Sequence, residues 1–336
     1  MRKRAFSGIQ PTGDPHLGNY LGALRNWAAR QDEYDAFYCI VDLHSLTLPW
    51  DPKELGRKSI EVAAALFAAG IDPAKAVLFR QSHVTQHSEL AWILTCIARM
   101  GELSRMIQFK EKSRGAGRSA AGGLFIYPVL QAADVLLYQA HGVPVGDDQR
   151  QHIELMRDLA IRFNSQFGET FTVPEAWIPE EGARIMALDD PTRKMSKSAK
   201  RPNSVINLAD EPDLVLKKIR SAVTDSGTDV VAGEDKPALT NLLTIFSLIA
   251  DTPVAGLEER FAGSGYGDFK KALAEAVVEG LRPIRERYLE LMGDPGELSR
   301  LLADGAARAE VVAEETMVRV WDVVGLGPRP GDFRSR

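Results

Sequence analysis

The sequence predicts an α/β fold in which a Rossmann-like parallel sheet with helices on both faces is followed by an all-helical domain. In the first half of the chain, short apolar segments alternate with helical patterns, and this alternation produces a parallel sheet covered by helices. After about residue 190, strand candidates become few and long helical patterns follow one another. A length of 336 residues suits two domains. We therefore predict a Rossmann-like domain at 1–190 and a helical domain at 191–336.

The predicted elements follow the chain in order. Strands are predicted at Arg4–Ile9, Ala36–Val41, Ala76–Arg80 and Val143–Val145. Helices of the first domain are predicted at Gly18–Gln31, Pro52–Ala69, Gln86–Met100, Tyr127–Ala140 and Asp148–Asn164. Helices of the second domain are predicted at Glu211–Val223, Lys236–Ile249, Phe269–Met292 and Gly296–Val324.

The composition is that of an ordinary soluble globular protein, with 45% hydrophobic and 26% charged residues. A net charge of −5 argues against a protein that coats nucleic acid, but it leaves room for a local basic surface. Cys39 and Cys96 lie in separate apolar runs, too far apart for a CxxC motif, and are predicted to be buried, unreactive thiols. The N-terminus lacks the apolar region of a signal peptide, and no apolar run approaches about 18 residues, so we expect a cytoplasmic protein without a membrane span.

The first motif of chemical interest runs from Gln10 to Asn19, between the first strand and the first helix. In an open α/β sheet, a nucleotide site belongs beyond the carboxyl end of a strand and near a helix N-terminus. We expect Gly18 to allow close approach of a ring or phosphate. His16 and Asn19 are expected to donate hydrogen bonds to charge that develops on the α-phosphate. The alternative is a turn and helix cap, with Asn19 as the cap and His16 in solvent.

The second motif is the segment KMSKS, Lys194 to Ser198. Two lysines three residues apart, accompanied by small hydroxyl residues, form a cationic loop that neutralises pyrophosphate as the bond between the α- and β-phosphates breaks. The alternative for such a spacing is a charged surface turn.

Together the two motifs resemble the paired signatures of class I aminoacyl-tRNA synthetases: HLGN follows the first strand, and KMSKS comes about 180 residues later, at the end of the α/β half. Along nearly the whole chain, from Phe6 to about Trp321, the sequence resembles the bacterial tryptophanyl-tRNA synthetase family. The matching segments are FSGIQPTG (6–13), HLGNYLGALR (16–25), CIVDLHSLT (39–47), GELSRMIQFKEKS (101–113), VPVGDDQRQHIEL (143–155), DPTRKMSKS (190–198) and KKIRSAVTD (217–225). This resemblance implies an enzyme that activates L-tryptophan with ATP and transfers it to tRNA(Trp).

Asp134 supports the choice of amino acid. It is the only Asp, Glu, Lys or Arg between Gly122 and Gly146, and it shares a predicted helix face with Tyr127 and Gln131. An indole offers a single N–H donor, and an ionised carboxylate only accepts hydrogen bonds. A phenylalanine side chain would leave this carboxylate unpaired, which sites of this kind penalise by several kcal/mol. The alternative is that Asp134 meets a buried backbone donor or faces water.

The resemblance also implies the site residues. Tryptophan is expected to contact Asp134, Phe6, His44, Tyr127, Gln131, Val143, Val145 and Gln149. Phe6 and the two valines would wall the indole pocket, and Tyr127 and Gln149 would hold the ammonium and carboxylate end. Many family members have methionine at position 131, so the ammonium contact is expected to differ here.

ATP is expected to contact Gln10, Pro11, Thr12, Gly18, Asn19, Gly146, Asp147, Asp148, Ile185, Lys194, Met195, Ser196, Lys197 and Ser198. The expected catalytic residues are His16, Asn19, Lys112, Lys194 and Lys197. Mg²⁺ is expected to arrive with ATP through its phosphate oxygens, and no protein-bound metal is expected. Ala199 follows the motif where the family commonly has Asp, which is expected to alter loop closure without removing a phosphate ligand.

The expected partners are L-tryptophan, ATP and tRNA(Trp), and the resemblance implies a homodimer. Two basic segments are candidate tRNA surfaces, with ordinary solvated helix faces as the alternative. Their members are Arg105, Lys110, Lys112, Arg114 and Arg118 in one and Lys217, Lys218 and Arg220 in the other. The helical domain resembles the family's anticodon-binding domain. Three other functions stay open: a tyrosyl-type synthetase, a tryptophan-binding regulatory paralogue, and an auxiliary enzyme that prefers a modified tryptophan.

Overall fold

Five parallel strands form the central sheet, in the order β3-β2-β1-β4-β5. The computed structural model describes residues 2–106, 121–146, 149–177, 184–196 and 201–328. The strands of this sheet are β1 Arg4–Ile9, β2 Asp35–Ile40, β3 Val77–Arg80, β4 Gly142–Pro144 and β5 Glu175–Trp177. A separate antiparallel pair, β6 Met186–Ala187 and β7 Asp190–Lys194, follows the sheet. The predicted Rossmann-like sheet is therefore confirmed.

Helices cover both faces of the sheet. Alternate residues of its central strands therefore point into two separate hydrophobic cores, one on each face. In β2, Phe37 and Cys39 belong to one core, whereas Tyr38 and Ile40 belong to the other. A strand buried on both faces reads as a continuous apolar run, which is how the segment appears in the sequence. All four residues are buried.

The helices before the end of the sheet are α1 Leu17–Asn19, a π-helical turn Tyr20–Leu24, α2 Arg25–Arg30, α3 Asp42–Ser45, α4 Pro52–Ala68, a 3₁₀ turn Gln81–His83, α5 Gln86–Ile97, α6 Met100–Arg105, α7 Gly122–Leu136 and α8 Arg150–Phe167. After the sheet come a 3₁₀ turn Pro202–Ser204, α9 Pro212–Arg220, α10 Pro237–Ala250, α11 Val254–Arg260, α12 Tyr266–Gly293 and α13 Pro295–Val323. The long helices of the second half match the predicted ones to within a few residues.

The predicted elements differ from the structure where short or local features decide the boundary. Helix α7 begins five residues before the predicted start at Tyr127 and contains Pro128, a residue that sequence rules favour in the first turn. Strand β5 was not predicted, because three residues carry too little pattern. It pairs with β4 by packing Trp177 against Gly142, where a Cβ would lie 1.9 Å from the indole ring.

The helical half packs back onto the sheet. Helix α13 crosses strand β3 so closely that a Cβ on Gly305 would lie 1.9 Å from the carbonyl oxygen of Leu78. A single hydrophobic core contains buried residues from both halves of the chain, from Leu17 in α1 to Leu302 in α13. The proposed boundary between residues 190 and 191 falls within β7, and the division into two domains stays a prediction.

The prediction for the cysteines is right at one position and wrong at the other. Cys39 is buried in β2, but Cys96 is exposed, one helical turn after the exposed Trp92 on α5. An apolar sequence neighbourhood therefore did not mean burial for this helix.

Among the described residues, no single helix is long and apolar enough to cross a membrane. Helices α10 and α11 together have the length and composition of a span, but they are bent by 104° relative to each other.

Candidate functional site

A cavity of about 310 Å³, here called the deep cavity, lies at the carboxyl ends of β1 and β4. Strand β1 is the point at which the strand order reverses, with β2 on one side and β4 on the other. In open α/β sheets, ligands bind in the crevice at this switch point. The deep cavity is lined by Phe6, Ser7, Gly8, Gln10, Trp27, Val41, His44, Tyr127, Gln131, Asp134, Val135, Val143, Pro144, Val145 and Gln149.

The eight residues expected to contact tryptophan all line the deep cavity, although they come from five separate parts of the chain. Helix α7 presents three of them, Tyr127, Gln131 and Asp134, because positions i, i+4 and i+7 share one face of a helix. Strand β1 supplies Phe6, and β4 and the residue after it supply Val143 and Val145. Helix α3 supplies His44, and Gln149 immediately precedes α8.

Asp134 is buried at the wall of this cavity with only 1% of its surface exposed, and three side chains donate hydrogen bonds to it. Its Oδ1 accepts from Nε2 of Gln81 at 2.6 Å and from Nδ1 of His87 at 2.7 Å. Its Oδ2 accepts from Nε2 of His44 at 2.8 Å. A carboxylate has about four acceptor positions. The three donors therefore leave one position, on Oδ2, for a further donor.

These contacts keep Asp134 ionised in an apolar setting. Burial alone would raise the pKa of its carboxyl group, but the electrostatic interactions and hydrogen bonds with His44 and His87 together hold that pKa well below its usual range. The sequence alternative, a backbone donor or solvent, is wrong for the described surroundings of Asp134. An ionised carboxylate here accepts hydrogen bonds and does not donate them.

Gln81, His87 and Tyr138 complete this network, and none of the three was predicted as a site residue from the sequence. The hydroxyl of Tyr138 lies 2.8 Å from Nε2 of His87, and Oε1 of Gln81 accepts from the backbone N–H of Leu43. The sequence does contain a signal for these residues, because polar residues begin at Gln81, directly after a buried strand. The carboxyl ends of parallel strands meet at one edge of the sheet, where ligand sites form.

Tyr127 also has a buried partner. Its hydroxyl lies 3.0 Å from Nε2 of His152 on α8, and burial raises the pKa of Tyr127 to about 12. The phenol is therefore neutral at ordinary pH, and its O–H group is held at the cavity wall by His152, which was not predicted as a site residue.

The two sequence motifs meet at a second cavity of about 370 Å³, here called the outer cavity. It is lined by Thr12, Gly13, His16, Asn19, Lys194, Met195 and Ser196. Residues about 180 positions apart are thus brought together, because Leu17 donates its N–H to the carbonyl of Ile206 and His16 pairs with Asn207 in the segment after KMSKS.

His16 and Asn19 hold each other in a capping box at the start of α1. Nδ1 of His16 accepts from the backbone N–H of Asn19 at 3.3 Å, and Oδ1 of Asn19 accepts from the backbone N–H of His16 at 3.2 Å. His16 is therefore the cap and is buried, which reverses the roles in the alternative reading of the sequence. With Nδ1 accepting, a neutral His16 carries its proton on Nε2.

Gly18 makes the contact between the motifs possible. A Cβ at this position would lie 3.1 Å from the His16 ring and 3.2 Å from Cβ of Met195. Met195 is buried and donates its N–H to the carbonyl of Ile185 at 2.9 Å. The expectation was that a ligand approaches Gly18, whereas the described neighbours that need the space are two protein side chains.

A third cavity of about 400 Å³, here called the middle cavity, shares lining residues with each of the other two. The loop Gln10 to Gly13 lines it along with α3 and the start of α4, and Pro11 lies here. The same loop contributes Gln10 to the deep cavity, and Thr12 and Gly13 to the outer cavity. The loop Gln10 to Gly13 therefore borders all three cavities.

The other expected site residues have varied placements. Ile185 is buried beside Met195, and Gly146 is exposed beyond the end of β4. The expected residues Lys112, Asp147, Asp148, Lys197 and Ser198 lie outside the described residues, as do Lys110, Arg114, Arg118 and Ala199. In the described ranges, no group of three or more His, Cys, Asp or Glu residues is arranged to hold a metal ion.

One member of the second basic segment is not available as a surface charge. Lys218 is buried and forms an ion pair with Asp210, so its inclusion among the candidate tRNA contacts is wrong. Lys217 and Arg220 are exposed on α9, and Arg105 is exposed at the end of α6. A buried ion pair satisfies the charge that Lys218 would otherwise present to a polyanion.

Comparison with known proteins gives a consistent result. The family described as "tRNA synthetases class I (W and Y)" matches residues 2–282. A tryptophan–tRNA ligase of Caldanaerobacter subterraneus is 54% identical over 325 residues, covering 96% of this chain and 98% of that relative. A tryptophanyl-tRNA synthetase structure from Mycoplasma pneumoniae has a TM-score of 0.86 at 38% identity, covering 97% of this chain and 99% of the other. The Campylobacter jejuni synthetase complexed with ADP and tryptophan has a TM-score of 0.85 at 39% identity, covering 96% and 99%.

Proposed function

The chain belongs to the class I aminoacyl-tRNA synthetases for tryptophan and tyrosine, and from this membership we infer that it is a ligase that joins L-tryptophan to tRNA with ATP. The observation that carries the assignment of the site is Asp134, a buried and ionised carboxylate with one acceptor position left at the wall of the deep cavity. An indole N–H is the donor that this position suits.

We propose that the indole ring lies in the deep cavity with its N–H directed at Oδ2 of Asp134. Phe6, Val143 and Val145 wall the cavity with apolar surface, which suits the rest of the ring. A site that hydrogen-bonds its substrate rejects analogues without the donor, because its own polar group is then left unpaired. This arrangement supports selection of tryptophan over phenylalanine, whose side chain has no donor.

The amino acid's polar end then lies near Tyr127, Gln131 and Gln149 on the same cavity wall. The amide oxygens of Gln131 and Gln149 accept hydrogen bonds, which an ammonium group supplies. His44 contacts Asp134 and lies at the wall between the deep and middle cavities. Gln131, in place of the family's common methionine, adds a polar ligand at this end, so tryptophans modified at the amino or carboxylate group belong among the substrates that are tested.

The phosphates of ATP are proposed to occupy the outer cavity. A carboxylate oxygen of tryptophan attacks the α-phosphorus, the bond from that phosphorus to the bridging oxygen breaks, and pyrophosphate leaves as tryptophanyl-adenylate forms. Catalysis then consists of positioning and charge neutralisation, for which we propose the Lys194 ammonium and the His16 ring, two groups that line this cavity. Asn19 lines the same cavity.

The remaining ATP contacts are proposed from the family resemblance alone. They are Gly146, Asp147, Asp148, Ile185, Lys112, Lys197 and Ser198. Mg²⁺ is proposed to enter as part of the substrate, bound to phosphate oxygens and water, as its coordination chemistry favours.

In the second step, the terminal ribose hydroxyl of the tRNA attacks the carbonyl carbon of the adenylate, and AMP leaves. We propose that tRNA(Trp) binds across both halves, with the helical domain at 191–336 reading the anticodon. In the two candidate basic segments, the described residues that are exposed are Lys217, Arg220 and Arg105, and their charges suit contact with the tRNA phosphates.

A homodimer is proposed on the basis of the family resemblance and of exposed apolar residues on α5, α6 and α7, of which α5 and α6 both pack against α7. Trp92 is 70% exposed, Met100 is 71% exposed, and Ile126 is 41% exposed. Large apolar side chains that are exposed on neighbouring helices favour an association site. Replacing Trp92 with Asp should shift the protein toward monomers in analytical ultracentrifugation, whereas Leu289→Asp, at an exposed apolar residue on α12, should not.

Pyrophosphate exchange with each of the twenty amino acids tests the function directly. We expect ATP-dependent exchange with tryptophan and with none of the others at comparable concentration, tyrosine included. Equal exchange with tyrosine would favour the tyrosyl-type alternative. Tryptophan binding without any exchange would favour a regulatory paralogue.

A further inference from the structure

Two buried residues behind the deep cavity have no part in the function proposed so far. Gln81 and His87 are both fully buried and neither lines the deep cavity, yet both donate hydrogen bonds to Oδ1 of Asp134. We propose that Gln81 and His87 are positioning residues that aim the carboxylate of Asp134 at the indole N–H and thereby set the selectivity for tryptophan. This inference rests on the proposed function of the deep cavity.

The orientation of Gln81 is fixed from its other side. Its Oε1 accepts from the backbone N–H of Leu43 at 3.1 Å, and a backbone N–H acts only as a donor. The amide nitrogen must then face Asp134, at 2.6 Å from Oδ1. Helix α3, which contains Leu43, also supplies His44, so one short helix fixes both a donor and the residue that orients another donor.

His87 is held at both of its ring nitrogens. Because the ionised Asp134 can only accept, Nδ1 of His87 carries the proton, and Nε2 then accepts from the hydroxyl of Tyr138 at 2.8 Å. The ring of Tyr138 is itself stacked on Phe6 and Phe37, with centroid distances of 5.6 and 4.8 Å. A rigid aromatic cluster therefore fixes the imidazole, and the imidazole fixes the carboxylate.

The arrangement of donors determines which oxygen is left for the substrate. Gln81 and His87 together occupy both acceptor positions of Oδ1, whereas Oδ2 has only His44. Loss of either Oδ1 donor would open a second acceptor position behind the cavity wall and weaken the preference for the ionised form. Binding of an indole should then suffer more than binding of an isostere that has no N–H.

The test is pyrophosphate exchange with tryptophan and with 3-(3-benzothienyl)alanine, in which sulfur replaces the indole N–H. The measured quantity is the ratio of the two kcat/KM values. An asparagine at position 87 places its amide nitrogen where Nδ1 lies, whereas a glutamine reaches the position of Nε2 beside Tyr138. We expect His87→Leu and His87→Gln to lower the ratio by about tenfold or more, the factor that about 1.4 kcal/mol represents. His87→Asn should stay within about threefold of the unmodified protein.

Thermal unfolding of each variant shows whether it folds. If the His87→Leu protein does not fold, the comparison of the kcat/KM ratios of His87→Asn and His87→Gln tests the proposal. Equal losses for both substrates, or a His87→Asn variant as impaired as His87→Gln, would overturn the positioning role. An unmodified protein that uses both amino acids equally would instead contradict the proposed indole contact itself. A high ratio in that protein, with parallel losses in the variants, would contradict only this inference.

Discussion

Replacing Gly18 with alanine adds one methyl group at the place where the two motifs touch. Its Cβ would lie 3.1 Å from the His16 ring and 3.2 Å from Cβ of Met195, whereas carbon atoms in ordinary contact are about 3.5–4.0 Å apart. His16 is held in its capping box, and Met195 is held by its hydrogen bond to Ile185. The neighbours must therefore move by several tenths of an ångström.

The expected cost follows from this crowding. Overpacking of a buried contact costs about 1–3 kcal/mol, and the better helix propensity of alanine offsets about 1 kcal/mol of it. Stability should thus fall by no more than about 2 kcal/mol. Displacement of Met195 also moves Lys194 and Ser196 at the outer cavity, so we expect kcat of pyrophosphate exchange to fall about ten- to a hundredfold, for a loss of about 1.4–2.7 kcal/mol in the transition state.

The assay separates this effect from general damage. Tryptophan binding without ATP, measured by calorimetry, should stay within about threefold, because neither Gly18 nor Met195 lines the deep cavity. Gly56→Ala is the matched control, since a Cβ there meets nothing within 4 Å in helix α4. The reasoning would be refuted if Gly18→Ala kept the kcat of the Gly56→Ala protein, or if tryptophan affinity fell as far as kcat.

Three further predictions concern residues that line the deep and outer cavities. Asp134→Asn should place an amide N–H₂ group against the donating group of Gln81 or His87. The protein then loses at least one charged hydrogen bond, which costs about 1.5–3 kcal/mol of stability. Selectivity for tryptophan over its sulfur analogue should fall while the KM for ATP stays the same, and unchanged selectivity would contradict the assignment of Asp134. Lys194→Ala should depress adenylate formation far more than tryptophan binding, and equal losses would count against its position at the phosphates. Because burial raises the pKa of Tyr127 to about 12, the neutral phenol contributes stability that is fully present below about pH 10, the pKa of an unfolded tyrosine, and is lost as pH rises through about 12. Tyr127→Phe should therefore reduce the fall in melting temperature over that range, and an unchanged fall would contradict this reading.

The parts of the fold that the sequence predicted are those with a long pattern. Strand β1 matches its prediction at both ends, because six residues are bounded by charged residues before and by Gln10 and Pro11 after. Helices α12 and α13 were also recognised, since 28 and 29 residues carry many periods of the apolar stripe. Strand β5 was missed because its three residues depend on tertiary contacts, above all Trp177 packed on Gly142.

The site shows the same division between local and distant information. The helix period placed Tyr127, Gln131 and Asp134 on one face without any tertiary knowledge. The family resemblance predicted that Phe6, Val143 and Val145 also contact the ligand, and these residues line the same cavity. The partners of Asp134 were not predicted, because Gln81 and His87 lie 53 and 47 residues away along the chain. Only the packing of the 3₁₀ turn Gln81–His83 and of α5 against α7 brings them together.

Electrostatic pairing was the least predictable feature. Lys218 stands in a basic segment that reads as a surface patch, but eight residues earlier Asp210 provides a buried partner. The sequence states which charges exist, whereas only the fold decides which of them neutralise one another.

A crystal structure of the protein with L-tryptophan bound tests the indole contact most directly. The indole ring should lie in the deep cavity, with its Nε1 about 2.9 Å from Oδ2 of Asp134, the usual length of such a hydrogen bond. Tryptophan bound outside that cavity, or bound inside it with the N–H directed away from Asp134, would contradict the claim.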